Sequence, residues 1–350
     1  MSSAVVKDRL KYIDALKVLA ILFIISLHVF NTWWGIQVFD MDFFKVISEI
    51  VRPGAPLFLM ITGALLLNRD IELGSFLKKK WVRLCYPFIF YYIIRVLVSP
   101  GFPSIFTYSW YFWMVFCLFL AIPIINKFIL HSSARELEYF VLVILASSIV
   151  YQLVYFSGIK NFIDLSFFIG PISYLILGYY FSIRDFKMKS NRIVMICLAL
   201  FVIATCIKMV GVADLIPVEL VKNVRVTNTE IYSSWLDVGI FEIIQTASLF
   251  VLVRHLYKCD RGVCGAVKNV LVTDWVNRFM VSVSRATYGM YLLNDSFMFL
   301  CAKYFKHMHL SGKAAASYSV ILIAGIFLLS WIIVVCISRI PLLKKFSGYS

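Results

Sequence analysis

The sequence predicts an all-α membrane protein that crosses the bilayer many times. Of its 350 residues, 61% are hydrophobic and only 15% are charged, whereas about 25% of the residues in an ordinary soluble domain are charged. Apolar runs such as residues 18–30, 193–206 and 319–337 are typical of helices that lie in the hydrocarbon core. This composition excludes a soluble domain, a disulfide-rich scaffold and a disordered chain.

About ten transmembrane helices are predicted, and they form a single integral-membrane domain over residues 1–350. Each crossing needs about 20 mainly apolar residues. Ten segments meet this requirement: residues 15–34, 43–67, 83–99, 108–127, 138–157, 162–182, 192–211, 236–255, 278–302 and 315–338. The first segment is too long for a signal peptide, and no small-residue cleavage site follows it.

The loops between the predicted helices differ in their content of lysine and arginine. Most of these residues lie in alternate loops that share a side with both termini. Because cytoplasmic loops are enriched in lysine and arginine, both termini are predicted to be cytoplasmic. The same enrichment accounts for the net charge of +15, so no nucleic-acid partner is expected. The eight cysteines are interpreted as small hydrophobic residues, with no disulfide or metal site.

Three ionisable residues of the first predicted helix share one face. Lys17 precedes His28 by about 16 Å of helical rise and only about 20° of rotation, and Asp14 lies about 40° from the same line. Intramembrane ionisable residues normally face protein or water, so this stripe predicts a polar channel. In that channel His28 is a candidate general base near neutral pH. The alternatives are a histidine that only packs and an Asp14–Lys17 ion pair at the membrane surface.

Two charged residues of the second predicted helix, Glu49 and Arg52, lie near the depth of His28 when residues are counted inward from the outer surface. In one arrangement Glu49 accepts a hydrogen bond from the imidazole and holds its tautomer. In the other arrangement Glu49 and Arg52 neutralise each other. The sequence leaves both open.

A basic cluster follows the second predicted helix on the cytoplasmic side. It consists of Lys78, Lys79, Lys80 and Arg83. Such a cluster is suited to a phosphorylated cytosolic ligand, although membrane topology alone also places basic residues there.

Several segments together resemble the membrane-bound acyltransferase-3 family, in particular the branch that contains the enterobacterial common antigen O-acetyltransferase. The first is Tyr12–Lys17 followed by His28, which resembles an Arg/Lys-x10-His signature. The others are residues 55–67, the basic segment 76–87, Trp110–Trp113 with Pro123, the Ser-Arg-Ala-Thr-Tyr-Gly-Met-Tyr-Leu-Leu-Asn run at 284–294, and residues 340–343. Their order and spacing carry the resemblance, which covers most of the chain.

The resemblance implies an O-acyltransferase of the bacterial inner membrane. It implies transfer of an acyl group, most simply acetyl, from acetyl-CoA to a hydroxyl of a surface polysaccharide, such as an O-antigen, or of its lipid-linked precursor. His28 is then the base, Lys17 and Asp14 organise the donor side, and Lys80 and Arg83 bind the CoA phosphates. Acetyl-CoA is a co-substrate, and no bound cofactor is expected.

Two residues depart from the family pattern. Lys17 stands where arginine is commoner, so a point charge replaces a bidentate anion ligand. Asn294 stands where many relatives have histidine, and asparagine forms hydrogen bonds but does not shuttle protons. Trp110 and Asn294 are predicted to support the site. The alternative function is a multi-span transporter or flippase for a glycan-related or anionic substrate, in which intramembrane charges are also common.

Overall fold

The computed structural model describes residues 10–36, 41–98, 105, 110–157, 168–215, 239–259, 262–305 and 312–349, and their long regular elements are all α-helices. In chain order the helices are α1 (Lys11–Ile36), α2 (Met41–Val51), α3 (Gly54–Leu66), α4 (Leu73–Val98), α5 (Trp110–His131), α6 (Ala134–Ser157), α7 (Pro171–Ile183), α8 (Ser190–Leu215), α9 (Ile240–Lys258), α10 (Gly262–Val272), α11 (Asp274–Phe305) and α12 (Gly312–Arg339). A short 3₁₀ helix, Lys344–Phe346, follows α12.

Eight described segments are long and apolar enough to cross a membrane, which confirms the prediction of a polytopic all-α membrane protein. They are Lys11–Phe30, Val46–Leu66, Leu73–Val98, Trp110–His131, Ala134–Leu153, Ser190–Met209, Ile240–Lys258 and Ala316–Arg339. The predicted crossing at 162–182 lies partly outside the described residues, and its helix α7 has 13 residues. The predicted crossing at 278–302 lies in α11, whose 32 residues extend for about 48 Å but include many polar side chains.

Two helix boundaries differ from the prediction. The predicted second helix is interrupted after Val51, and α3 begins at Gly54. Pro53 accounts for this break, because proline has no backbone N–H and disfavours helical conformation in the residue before it. Helix α4 begins at Leu73, ten residues before the predicted start. The basic residues between Ser75 and Tyr86 are good helix formers, so the predicted basic loop is in fact the beginning of a helix.

Helix α1 lies at the centre of the described bundle. It packs against α2, α3, α9, α11 and α12. Leu16, Ala20, Ile21 and Ile25 on this helix have no exposed surface. On the same helix Asp14 is buried, and Lys17 and His28 are half-buried. These three residues are thus largely covered by protein, the condition under which ionisable side chains are tolerated at membrane depth.

Helices α3 and α7 approach each other at two glycines. A Cβ atom built on Gly63 would lie 1.8 Å from the carbonyl oxygen of Leu175, and one built on Gly178 would lie 2.0 Å from that of Met60. Small residues are common at such crossings because they let two backbones touch. This contact fixes α3, which forms one wall of the cavity described below.

Residues 340–349, here called the return segment, turn back from α12 onto α4 and α11. The hydroxyl of Tyr91 donates a hydrogen bond to the carbonyl oxygen of Ser347 at 3.1 Å. A Cβ atom on Gly289 would lie 2.3 Å from that same oxygen. The return segment is therefore packed closely against the two helices.

Candidate active site

His28 and Asn294 meet at the contact between α1 and α11. The side-chain nitrogen of Asn294 lies 2.6 Å from Nδ1 of His28. Asn294 is completely buried and His28 is half-buried. The residue that replaces the expected family histidine therefore contacts the candidate base directly.

A second polar contact joins the same two helices nearer to their beginnings. The hydroxyl of Ser284 donates a hydrogen bond to Oδ1 of Asp14 at 2.5 Å, and both residues are buried. Along α1 the two contacts are separated by about 21 Å of helical rise, and along α11 by about 15 Å. The two helices therefore run in the same direction. Asp14 and His28 of the predicted stripe both contact α11.

A cavity of about 560 Å³ lies between α1, α3, α4, α5, α11 and the return segment. Five cationic side chains line it, from three separate parts of the chain: Lys17, Lys80, Arg83, Lys344 and Lys345. Aromatic side chains cover much of the remaining wall: Phe58, Tyr111, Phe112, Phe119, Tyr288, Tyr291 and Tyr349. No aspartate or glutamate belongs to the described lining. The cavity is therefore strongly cationic.

Three of the predicted site residues, Lys17, Lys80 and Arg83, are brought together in this cavity. Lys80 is half-buried, and its ammonium group lies 5.6 Å from the ring centre of Phe76 and 5.1 Å from that of Phe119. These cation–π contacts hold the charge at the wall of the cavity. Since the basic cluster is helical, its residues face different directions, and only Lys80 and Arg83 reach the lining.

The cavity extends from these cations toward His28. Ile24 precedes His28 by one helical turn and Tyr291 precedes Asn294 by one turn, and both line the cavity. The rings of Tyr111 and Tyr291 contact each other there, with centres 5.2 Å apart. The His28–Asn294 pair thus lies one turn beyond the aromatic end of the cavity.

Glu49 lies in a network of buried and half-buried charges between α2, α8 and α9. Its carboxylate is 2.6 Å from the guanidinium of Arg52 and 3.0 Å from Nζ of Lys208. Lys208 also pairs with Glu242, and the amide of Gln245 donates to the backbone oxygen of Glu49 at 2.9 Å. The sequence left open whether Glu49 bonds to the imidazole of His28 or pairs with Arg52. The contacts in the structure are those of the Glu49–Arg52 ion pair.

Trp110 stands at the beginning of α5 and is substantially exposed. Its ring meets that of Tyr111 edge to face, with centres 5.8 Å apart. Tyr111 lines the cavity, whereas Trp110 does not belong to the described lining. Trp110 therefore borders the site through its neighbour.

Sequence reasoning assigned no site role to Lys208, Glu242, Lys344 or Lys345. Lys208 and Glu242 could have been found from the sequence, because charged residues inside predicted transmembrane helices normally have a charged partner. Lys344 and Lys345 could not, because basic residues that follow a last transmembrane helix are already explained by the enrichment of lysine and arginine on the cytoplasmic side. Among the described residues no group of three or more histidine, cysteine, aspartate or glutamate side chains is placed to hold a metal ion.

Comparison with known families decides the class of this protein. The sequence profile of the acyltransferase-3 family, an acyltransferase domain, matches residues 10–335. The chain belongs to the acyltransferase-3 family. A search of curated proteins gave no match, and neither did a search of solved structures. The protein is therefore an acyltransferase embedded in a membrane, and the transporter alternative is set aside.

Proposed function

We propose that this acyltransferase transfers a short acyl group, most simply acetyl, from acyl-CoA to a hydroxyl of a surface glycan or lipid-linked sugar. The bacterial inner membrane is the proposed location, with the donor on the cytoplasmic side. One observation carries the proposal: a cavity lined by five cations and no described carboxylate leads to within one helical turn of the His28–Asn294 pair. The resemblance to the enterobacterial common antigen branch supports a glycan acceptor.

The cavity has the chemistry that an acyl-CoA donor requires. CoA carries several phosphate charges at one end and a flexible, largely uncharged arm with the thioester at the other. Phosphates are bound by lysine and arginine, and Lys17, Lys80 and Arg83 provide such groups. The volume of about 560 Å³ lies within the usual range of about 300–1,000 Å³ for ligand pockets.

His28 is proposed to remove the proton from the acceptor hydroxyl. The hydroxyl oxygen then attacks the thioester carbon, the new C–O bond forms, and the C–S bond breaks. The proton held by His28 passes to the departing thiolate, so that the products are the ester and CoA thiol. An imidazole can both take up and release a proton near neutral pH, so it is suited to both steps.

Asn294 is proposed to orient the imidazole. A neutral histidine carries its proton on one ring nitrogen, and the hydrogen bond at Nδ1 determines which one. The side-chain amide has both a donor and an acceptor. In the structure the amide nitrogen faces Nδ1. With the amide turned by 180°, its oxygen accepts a hydrogen bond from Nδ1–H, and Nε2 keeps the lone pair that takes the hydroxyl proton.

The donor is tested by a covalent assay. Purified protein in lipid nanodiscs is incubated with acetyl-CoA that carries a labelled acetyl group, with and without surface glycan extracted from a strain that lacks the gene. Release of free CoA thiol together with label on the glycan supports the proposal. Mass spectrometry of glycan from cells with and without the gene then identifies the acceptor. A thioester that remains intact under all of these conditions would contradict the proposal.

A further inference from the structure

The return segment forms part of the cavity wall, and its lysines face the same space as those of α1 and α4. We infer that Lys344 and Lys345 bind the 3′-phosphate of the CoA donor. This inference rests on the function proposed above, and it assigns a binding role to residues that sequence reasoning attributed to membrane topology. Three features of the structure carry it: how the segment is held, the charge it contributes, and where its lysines lie.

The return segment is held in place by aromatic and backbone contacts. The ring of Phe346 stacks on that of Tyr86, with centres 5.6 Å apart, and lies 6.0 Å from that of Phe90. Gly348 has a φ of +71°, a conformation that favours glycine. A Cβ atom on Gly348 would also lie 2.7 Å from the backbone nitrogen of Gly289. These contacts position the two neighbouring lysines.

The segment adds positive charge where positive charge is already concentrated. Lys344 and Lys345 join Lys17, Lys80 and Arg83 around one cavity, and the described lining has no carboxylate. Like charges repel each other, so such a group lowers stability in the absence of an anion. A polyanionic ligand removes this repulsion when it binds.

The lysines also differ in depth. Lys344 and Lys345 are exposed, whereas Lys17 and Lys80 are half-buried. A donor with its thioester directed toward His28 places its diphosphate nearer to the half-buried pair. The adenosine end, which carries the 3′-phosphate, then remains at the exposed rim beside the return segment.

The test compares two donors on two proteins. Acetyl-CoA and acetyl-dephospho-CoA differ only in the 3′-phosphate, and the variant carries Lys344→Gln with Lys345→Gln. In the wild type we expect the KM of the dephospho donor to be about tenfold higher, because a charge-assisted contact is absent. In the variant the KM of acetyl-CoA rises to that level, the KM of the dephospho donor is unchanged, and kcat is retained.

Two further variants make the result specific. Lys187→Gln with Lys189→Gln removes the same charge from exposed positions outside the described cavity lining, and both KM values should stay at the wild-type level. The variant with Lys344→Arg and Lys345→Arg keeps both charges and should keep the wild-type preference for acetyl-CoA over acetyl-dephospho-CoA. An unchanged KM for acetyl-CoA, or an equal rise for both donors, would overturn the inference. A wild-type protein that leaves both thioesters intact would instead contradict the proposed function.

Discussion

The charge network around Glu49 and the cavity beside Lys17 both place ionisable side chains inside the helical bundle, but they are built differently. In the network, carboxylates and cations alternate: Arg52 pairs with Glu49, and Lys208 pairs with both Glu49 and Glu242. In the cavity, five cations share one space whose described lining has no carboxylate. Buried charges are normally neutralised by a partner.

This difference separates structural charge from functional charge. In the network each charge is paired with an opposite charge of the same protein. Removal of one partner should therefore lower the free energy of unfolding. We propose that a ligand contributes to neutralising the cavity, so changes there should alter binding or catalysis while the fold is retained. The predictions below test this separation, beginning with the largest expected effect.

His28→Ala should reduce kcat for acyl transfer by at least about 100-fold, since a general base typically contributes 10² to 10⁴. The protein should remain inserted at wild-type abundance, because His28 is half-buried and contributes little to the core. Transfer of label and thermal unfolding are measured on the same preparation. His131→Ala, at an exposed position at the end of α5, serves as the control and should behave as the wild type. Near-normal transfer by His28→Ala would exclude a base at this position.

Lys208→Met should lower the free energy of unfolding by about 3–5 kcal/mol, because removal of one partner leaves buried charges uncompensated. The expected signs are lower abundance and a lower Tm in thermal unfolding. The KM for acetyl-CoA of the remaining folded protein should not change. Lys208→Arg keeps the charge and should retain most of the stability. A stable variant with a raised KM would instead place the network in a binding site.

Asn294→Leu keeps the branched shape of the side chain but cannot form the hydrogen bond to His28. We expect kcat to fall about tenfold and the KM for acetyl-CoA to stay constant, because the orientation of the base affects the chemical step rather than donor binding. Asn294→His should recover part of the activity, since histidine also forms hydrogen bonds. Met298→Leu, one turn further along α11, is the matched control for packing. A raised KM with normal kcat would contradict the orienting role.

Lys17→Met should raise the KM for acetyl-CoA several-fold, because the lost contact is with the donor, and it should not lower the Tm, because one of several repelling cations is removed. Lys17→Arg should remain within about twofold, since arginine keeps the charge. Steady-state kinetics at low and high salt measure both variants, and the defect of Lys17→Met should shrink as salt screens the charge. Equal activity of the two variants would favour a lysine that only reaches toward the membrane surface.

The sequence by itself determined the class of the fold and much of one helix face. Hydropathy depends on local composition, so eight crossings of the described chain follow from apolar runs of sufficient length. The period of the α-helix is equally local, and it placed Asp14, Lys17 and His28 on one side of α1. Hydropathy placed the predicted crossing at 278–302 within α11, but it set the beginning of α4 ten residues too late, because charged residues occupy the first turns of that helix.

Only the tertiary structure decided which of these residues meet. Asn294 contacts His28 from 266 positions away. Lys208 reaches Glu49 from another helix and also pairs with Glu242 of a third. The return segment reaches the cavity because Gly289 and Gly348 let backbones pack closely. Such contacts depend on the rotation and crossing of whole helices, which side-chain packing determines jointly across the bundle. These contacts cannot be predicted from a local pattern of residues.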